Sequence, residues 1–158
     1  MSNRHVSDIL TDREAIADAV FRAVKGLDRY DAALFDSAFA SEDVTLEVPH
    51  RNMKLIGLSD IRKNMLDSLG PLDTTHMISN IRVQVENGAD AASLTAYALA
   101  QHCPAGKGRD PESPKFLVCG EYSIDLKYDG LDGLWKIKRW MLDVIWTQGD
   151  KSVTQPPS

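Results

Sequence analysis

Asp28, His76 and His102 are the residues of this sequence whose types suit acid–base chemistry. A carboxylate beside an imidazole fixes the tautomer of the ring and raises its basicity. Such a pair can remove a proton from a carbon next to a carbonyl group. Taken one at a time, each histidine is more typical of a structural imidazole, and Asp28 of a helix cap. The chemistry therefore depends on whether the fold brings these residues together.

Sequence motifs for several other chemistries are missing from the 158 residues. There is no His-Glu-x-x-His zinc spacing and no glycine-rich phosphate loop. There is also no Gly-x-Ser-x-Gly nucleophile elbow. The two cysteines, Cys103 and Cys119, have no spacing typical of a zinc site or of a disulfide framework. The sequence therefore predicts no metal site, and its acid–base residues are the main candidates for catalysis.

The composition is that of a globular domain, with 43% hydrophobic and 26% charged residues. A formal net charge of -5 gives no electrostatic signature for binding nucleic acid or anionic lipid. No segment approaches the roughly 20 apolar residues of a membrane span, and the first residues carry no apolar run typical of a signal peptide. These observations predict a cytoplasmic protein without a membrane or nucleic-acid partner.

The first half of the chain predicts helices. Thr11 and Glu14 form a capping-box pattern at the start of the first helix. Its apolar stripe consists of Ile16, Val20, Phe21 and Val24. Gly26 is expected to break or bend this helix. Two further helices are predicted over residues 34–39 and 59–69, the latter stopped by a Gly-Pro pair.

The second half predicts strands. A short alternating segment at residues 44–48 is followed, after the helices, by four longer strands. These are expected at 76–86, 91–102, 116–128 and 134–146. Alternation along the second long strand places His102 on one face with a series of small apolar side chains. Helices followed by an antiparallel meander predict an α+β fold, with helices on the concave face of a curved sheet and an apolar pocket between them.

The domain boundaries follow from the same pattern. Residues 1–10 are expected to form a flexible arm, and residues 11–149 a single domain. Residues 150–158, which include a Pro-Pro pair, are expected to form a disordered tail.

Several short segments of the chain together resemble scytalone dehydratase and, more broadly, the SnoaL-like branch of the nuclear transport factor 2-like superfamily. They include Gly-Leu-Asp-Arg-Tyr-Asp at 26–31 and Thr-His-Met-Ile at 75–78. The others are Gln-His at 101–102, Tyr-Ser-Ile-Asp-Leu at 122–126, Leu-Trp-Lys at 134–136 and Ile-Trp at 145–146. The similarity runs over about residues 11–146, nearly the whole domain, with a compatible order of elements.

The resemblance implies a cone-shaped α+β barrel without a cofactor, assembled as a trimer or dimer. It implies that Asp28 orients His76 and that His102 is the second imidazole of the site. Members of this kind remove a proton next to a carbonyl group and expel water. The substrate-contacting Ser and Asn of the family correspond to Ser123 and Asp125 here.

This sequence departs from the pattern at the two tyrosines that hold water in the family. They align with Leu27 and Val48. His50, two residues beyond Val48, is a candidate replacement, so Val48 and His50 are expected to line the substrate site. Tyr30 is near in sequence, but on a helix it would point about 200° away from Asp28.

The function predicted on these grounds is a dehydratase-type lyase, or an isomerase, acting on a hydrophobic ring-containing carbonyl compound. No basic residue is expected in position to bind phosphate or carboxylate. Two alternatives remain: a polyketide cyclase or epoxide hydrolase of the same superfamily, and a non-catalytic small subunit of a ring-hydroxylating dioxygenase. A homo-oligomer is expected because apolar side chains are predicted on the outer face of the sheet. They are Tyr97, Leu99, Ile124 and Leu126.

Overall fold

The computed structural model of the protein describes residues 9–155. Helix α1 (Asp12–Asp28) begins at the predicted capping box, in which Thr11 accepts a hydrogen bond from the Glu14 backbone and the Glu14 carboxylate accepts one from the Thr11 backbone. Helix α2 (Ala32–Ser37) follows directly, capped by the side chain of Asp31. The third helical segment spans 58–69, as α-helix at both ends and π-helix between.

Gly26 lies inside α1 rather than at its end, so the predicted break is wrong. A Cβ at this position would lie 2.5 Å from the backbone nitrogen of Phe35 in α2. Glycine is therefore needed for the close approach of α2, and α1 continues one half-turn further to Asp28. This extension carries the Asp28 carboxylate to the sheet.

Six strands form one mixed sheet in the order β2-β1-β6-β5-β4-β3. Their bounds are β1 Thr45–Val48, β2 Met53–Ile56, β3 Asp73–Val85, β4 Ala91–Cys103, β5 Phe116–Asp129 and β6 Leu134–Gly149. All neighbours are antiparallel except β1 and β6, which are parallel. The predicted fold class is confirmed, with helices packed on a curved, mostly antiparallel sheet. The sheet is open between β2 and β3 rather than closed into a barrel, and β2 was not predicted.

Register shifts bend the long strands. One lies in β3 between Ser79 and Arg82, where Asn80 has a positive φ of 54°. Two more lie between β5 and β6, at Cys119/Gly120 and at Asp125/Leu126. Each inserts an extra residue and increases the local twist. The curved sheet wraps α1, whose buried side chains join those of β4, β5 and β6 in one core.

Alternation on β4 is confirmed, because all of its predicted inward residues are buried. On β5, however, Ile124 and Leu126 are buried in the core, at 1% and 2% exposure, so their predicted place on the outer face is wrong. Tyr97 and Met77 are about half exposed on the outer face.

Residues 150–155 do not match the predicted disordered tail, and the Pro-Pro pair and last residue of that tail, 156–158, lie outside the described residues. Residues Lys151–Thr154 form a 3-10 turn, with the Asp150 side chain accepting a hydrogen bond from the Ser152 backbone. The Asp150 backbone donates to the carbonyl of Lys115, and Val153 is buried. The turn therefore folds back over the ends of β4 and β5. The first eight residues of the predicted arm lie outside the described residues.

Candidate active site

A cavity of about 260 Å³ lies between the concave face of the sheet, the end of α1 and the third helical segment. Most of its lining is apolar. The apolar side chains are Leu27, Leu46, Val48, Met53, Met65, Leu69, Ala98, Ala100, Phe116, Val118, Leu142 and Val144. The polar side chains are His50, Arg51, Asn64, Ser68, His76, His102, Tyr122, Trp140 and Thr154. A mainly apolar cavity into which polar groups also project is typical of a small-molecule site.

The Asp28 carboxylate is held at the edge of this cavity by three hydrogen bonds. Its Oδ1 accepts from the Thr74 hydroxyl at 2.8 Å and its Oδ2 from the His76 backbone at 2.9 Å. The His76 ring nitrogen Nδ1 lies 2.7 Å from Oδ1. Burial would raise the pKa of this carboxyl, but the hydrogen bonds and charge of His76, with the Thr74 hydroxyl, outweigh it and lower the pKa. Asp28 is therefore an anion that accepts hydrogen bonds.

His76 faces the cavity from β3, and its side chain is only 6% exposed. Since Asp28 is ionised, Nδ1 of His76 must carry the proton and donate it to Oδ1. The opposite nitrogen, Nε2, then has a free lone pair when the ring is neutral. An imidazole held in this way can accept a proton at Nε2 while the carboxylate stabilises the resulting positive charge.

His102 faces the same cavity from β4 and is 5% exposed. Its Nδ1 lies 3.0 Å from the carbonyl oxygen of Phe116 and donates to it. Burial lowers the pKa of His102 to about 4, against the raising effect of the Phe116 carbonyl. This ring is therefore neutral near pH 7, with Nε2 as an acceptor. The His76 and His102 ring centres are 5.6 Å apart with nearly perpendicular planes.

Val48 and His50 both line the cavity. Val48 ends β1 and is buried, whereas His50 is exposed on the 3-10 turn Pro49–Arg51. Arg51, on the same turn, also lines the cavity. The expectation that no basic residue is placed to bind a carboxylate is therefore wrong.

Ser123 and Asp125 are not in this cavity, which corrects their predicted positions. Cross-strand alternation puts Tyr122 and Ile124 inward on β5, so the residues between them point to the opposite face. Asp125 is about half exposed and lies 3.7 Å from the Arg139 guanidinium.

Tyr122 and Trp140 are cavity residues that the sequence reasoning missed. Burial, together with the Asp28 charge, raises the pKa of Tyr122, so its phenol stays protonated. Its ring packs edge-on against Trp140, with ring centres 4.9 Å apart. The buried Nε1 of Trp140 has no hydrogen-bond partner within residues 9–155. The signal that could have found Tyr122 is its alternation with Ile124 and Leu126, both apolar.

Tyr30 does not replace the missing tyrosines. It has a positive φ of 51°, is half exposed, and packs its ring over Gly70. Within residues 9–155 no group of three or more His, Cys, Asp or Glu side chains is placed to hold a metal ion.

The fold agrees with comparisons to known proteins. A family model for the SnoaL-like domain matches residues 8–141. The chain therefore belongs to the SnoaL-like family, as the resemblance implied.

A relative from Penicillium crustosum, terrestric acid biosynthesis cluster protein E, is 39% identical over 144 residues. The alignment covers 91% of this chain and 90% of the relative.

Solved structures share the fold. A candidate scytalone dehydratase from Novosphingobium aromaticivorans is 24% identical, with a TM-score of 0.72, covering 91% of this chain and 90% of its own. The hexachlorocyclohexane dehydrochlorinase LinA-type3 from Novosphingobium barchaimii is 16% identical, with a TM-score of 0.69 and coverage of 96% and 98%. At these identities the likeness supports the cone-like fold of the superfamily.

None of the helices in the described part of the chain has the length and hydrophobicity that crossing a bilayer requires.

Proposed function

We propose that this protein is a cofactor-free lyase of the dehydratase type, acting on a hydrophobic ring-containing carbonyl compound. The observation that carries the proposal is the 2.7 Å hydrogen bond between Asp28 Oδ1 and Nδ1 of His76, a residue that lines a mainly apolar cavity. The SnoaL-like family and a relative named for a biosynthesis cluster support an enzyme of small-molecule metabolism.

The proposed reaction begins with proton transfer to His76. Nε2 takes a proton from the carbon next to the substrate carbonyl, and the C–H electrons move toward that carbonyl as an enolate. Asp28 stabilises the imidazolium. The enolate then expels the hydroxyl group from the neighbouring carbon, which forms the C=C bond. The imidazolium returns its proton to the departing hydroxyl, and water leaves.

Two neutral groups assist this reaction. Tyr122 has a protonated phenol in the cavity and donates a hydrogen bond to the carbonyl oxygen of the substrate. His102 offers Nε2 as an acceptor for a substrate hydroxyl. A hydrogen-bond donor aimed at the developing enolate oxygen lowers the barrier because it is already oriented.

An isomerase would use the same first step. If the substrate carries a C=C bond next to the acidic carbon instead of a hydroxyl group, proton removal gives a dienolate. The imidazolium of His76 then returns the proton to the far carbon of that C=C bond, and the double bond moves into conjugation with the carbonyl. The non-catalytic alternative accounts less well for a partly buried carboxylate held against a cavity-facing imidazole. Desolvating a charge costs free energy that a scaffold has no need to incur.

The test is turnover of hydroxylated aromatic and cyclic ketones by the wild type and by His76→Ala. General acid–base assistance is typically worth ~10²–10⁴ in rate, so His76→Ala should lower kcat by that factor. His102→Ala should lower it less, and Tyr122→Phe should lower it without abolishing it. Near-normal kcat in His76→Ala, with a substrate that the wild type turns over, would assign the chemistry to another group.

We also propose that the protein is a homo-oligomer that packs through the outer face of the sheet. The register aligns Met77 with Leu99, Leu99 with Cys119, and Cys119 with Trp146. Cross-strand partners share a face, so these four side chains form one row across β3 to β6. We call it the outer apolar row. Met77 and Trp146, at its two ends, are 50% and 45% exposed.

Light scattering should give two or three times the 17.5 kDa of one chain. Trp146→Glu should shift the mass toward the monomer because it places a charge in the row. The control is Leu131→Glu, in an exposed turn away from the row. A monomeric wild type at micromolar concentration would contradict this proposal.

A further inference from the structure

The polar groups of the cavity have an uneven charge distribution. Among its lining residues in the described part of the chain there is no aspartate or glutamate side chain, and Asp28 lies behind His76. The lining does include the guanidinium of Arg51, which is always protonated near neutral pH. The cavity therefore has a positive charge at its wall in a chain whose formal net charge is -5.

The turn that carries Arg51 is well defined. Residues Pro49–Arg51 form a 3-10 turn between β1 and β2, closed by the Asn52 backbone donating to the Pro49 carbonyl at 2.9 Å. Asn52 has a positive φ of 50°, which reverses the chain into β2. Since the turn joins two paired strands, the backbone of Arg51 is held at one side of the cavity.

Arg51 makes no ion pair with any other residue in 9–155. Its neighbour Lys54 is different, because Lys54 lies 3.6 Å from the Glu47 carboxylate. Arg51 is exposed, whereas His76 is buried, so the guanidinium lies at the mouth of the cavity and the imidazole in its depth. Burial is the main cause of the lowered pKa of His102, and the charges of His76 and, least of all, Arg51 lower it further.

We infer that the substrate is an anion, a ring compound whose carboxylate or ionised enol binds Arg51 at the mouth while its reacting carbonyl lies beside His76. This inference rests on the proposed function and adds the substrate class. Arginine suits the role because its planar fork matches two oxygen atoms of a carboxylate. A cleft with low-dielectric walls and one sign of charge also concentrates oppositely charged ligands.

The experiment compares acids with their uncharged amides. Benzoate and benzamide, and 2-naphthoate and 2-naphthamide, have nearly the same shape and differ in charge. Calorimetric titration near neutral pH and at low salt should show that each acid binds the wild type about tenfold more tightly than its amide, as one charge-assisted hydrogen bond provides. Added salt should reduce this preference, because exposed charges are screened.

Arg51→Gln should bring the acid and the amide of each pair to the same affinity without changing the affinity for the amide. Arg51→Lys should restore part of the preference, since the charge remains but the fork is lost. Arg82→Gln is the matched control, because Arg82 is exposed on β3 and does not line the cavity. It should behave as the wild type.

Equal binding of acid and amide by the wild type would overturn the inference, and so would failure of every acid to bind at millimolar concentration. A preference that survives in Arg51→Gln would overturn the assignment to Arg51. The measurement needs no turnover, so it is independent of the His76→Ala kinetics. Loss of the charge preference would leave the proposed lyase intact, and active His76→Ala would leave the charge preference intact.

Discussion

His76 and His102 lie on neighbouring strands with ring centres 5.6 Å apart, yet they are held by different partners. The Nδ1 of His76 donates to a carboxylate, and the Nδ1 of His102 donates to a backbone carbonyl. Both rings thus present Nε2 to the cavity in the same tautomer. Only His76 has a full negative charge beside it to stabilise the protonated ring. Because both residues are histidines, the partner of Nδ1 decides their roles. The carboxylate lets His76 accept a proton, whereas the carbonyl leaves His102 as a neutral hydrogen-bond acceptor.

The backbone explains how the two settings arise side by side. The register pairs His76 with Ala100 and His102 with Thr74, so the two imidazoles are diagonal neighbours on one face. Asp28 at the end of α1 reaches β3 beside His76, whereas His102 lies directly opposite Phe116 on β5. A helix end supplies the charge for one ring, and a neighbouring strand supplies a carbonyl for the other.

Asp28→Asn is expected to have the largest effect on the difference between His76 and His102. An amide can still accept a hydrogen bond from Nδ1, but it cannot stabilise the imidazolium. We expect kcat to fall by about 10², between the effects of His76→Ala and His102→Ala. The measurement is steady-state kinetics with a substrate found for the wild type.

The matched control is Asp31→Asn, three residues further along the chain. Asp31 caps α2 through the Leu34 backbone, and asparagine caps a helix equally well. Its kcat should be unchanged. Wild-type kcat in Asp28→Asn would show that the carboxylate only positions the ring, and the contrast between the two histidines would then disappear.

The next effect concerns stability in acid. The folded-state pKa of His102 is about 4, below the ordinary value of 6.5, so the unfolded chain binds more protons between these pH values. The folded state therefore loses stability as pH falls from about 6.5 toward 4, and the loss from this group is about 2 kcal/mol at pH 5. His102→Gln removes the titrating group, while its amide can still donate to the Phe116 carbonyl.

Urea unfolding at a series of pH values should therefore show a weaker loss of stability in acid for His102→Gln than for the wild type. His50→Gln serves as the control, because His50 is exposed at the mouth of the cavity. It should leave the pH dependence of the wild type unchanged. If the free energy of unfolding fell equally steeply with decreasing pH in all three proteins, His102 would be protonated as easily in the folded state as in the unfolded chain.

The smallest effect is expected from Thr74→Val, which removes one of the three hydrogen bonds to Asp28. One such bond contributes about 1 kcal/mol. We therefore expect roughly a fivefold fall in kcat and a decrease of about 1 kcal/mol in the free energy of unfolding. Thr75→Val, at the next and exposed position of β3, is the control and should change neither. A fall in stability alone would limit Thr74 to a structural role.

Much of the candidate site follows from local sequence patterns and from the family resemblance. Alternation of small apolar residues on β4 places His102 on the inward face, and the helical pattern from Thr11 predicts α1. The resemblance pairs Asp28 with His76, which are 48 residues apart and which no local pattern could join. It also misplaces Ser123 and Asp125, where the alternation around Tyr122 was the better guide.

The remaining features depend on contacts between distant segments. The need for Gly26 comes from the approach of α2, and the turn after β6 is ordered by the Lys115 carbonyl. The place of Trp146 on the outer face follows from the register shift at Cys119/Gly120. A shift of one residue exchanges the two faces of a strand, and its position is set by the partner strand rather than by the strand's own sequence.

The sequence by itself therefore determined the three helical segments, the five strands other than β2 with their order, and the acid–base character of the site. These depend on periodicity, capping and turn residues, which act within a few residues. Only the tertiary structure decided which nitrogen of each imidazole faces the cavity, that Tyr122 rather than Ser123 lines it, and that Arg51 stands at its mouth. Those outcomes depend on hydrogen bonds and packing between residues far apart in the chain, whose geometry exists only after the sheet has curved around α1.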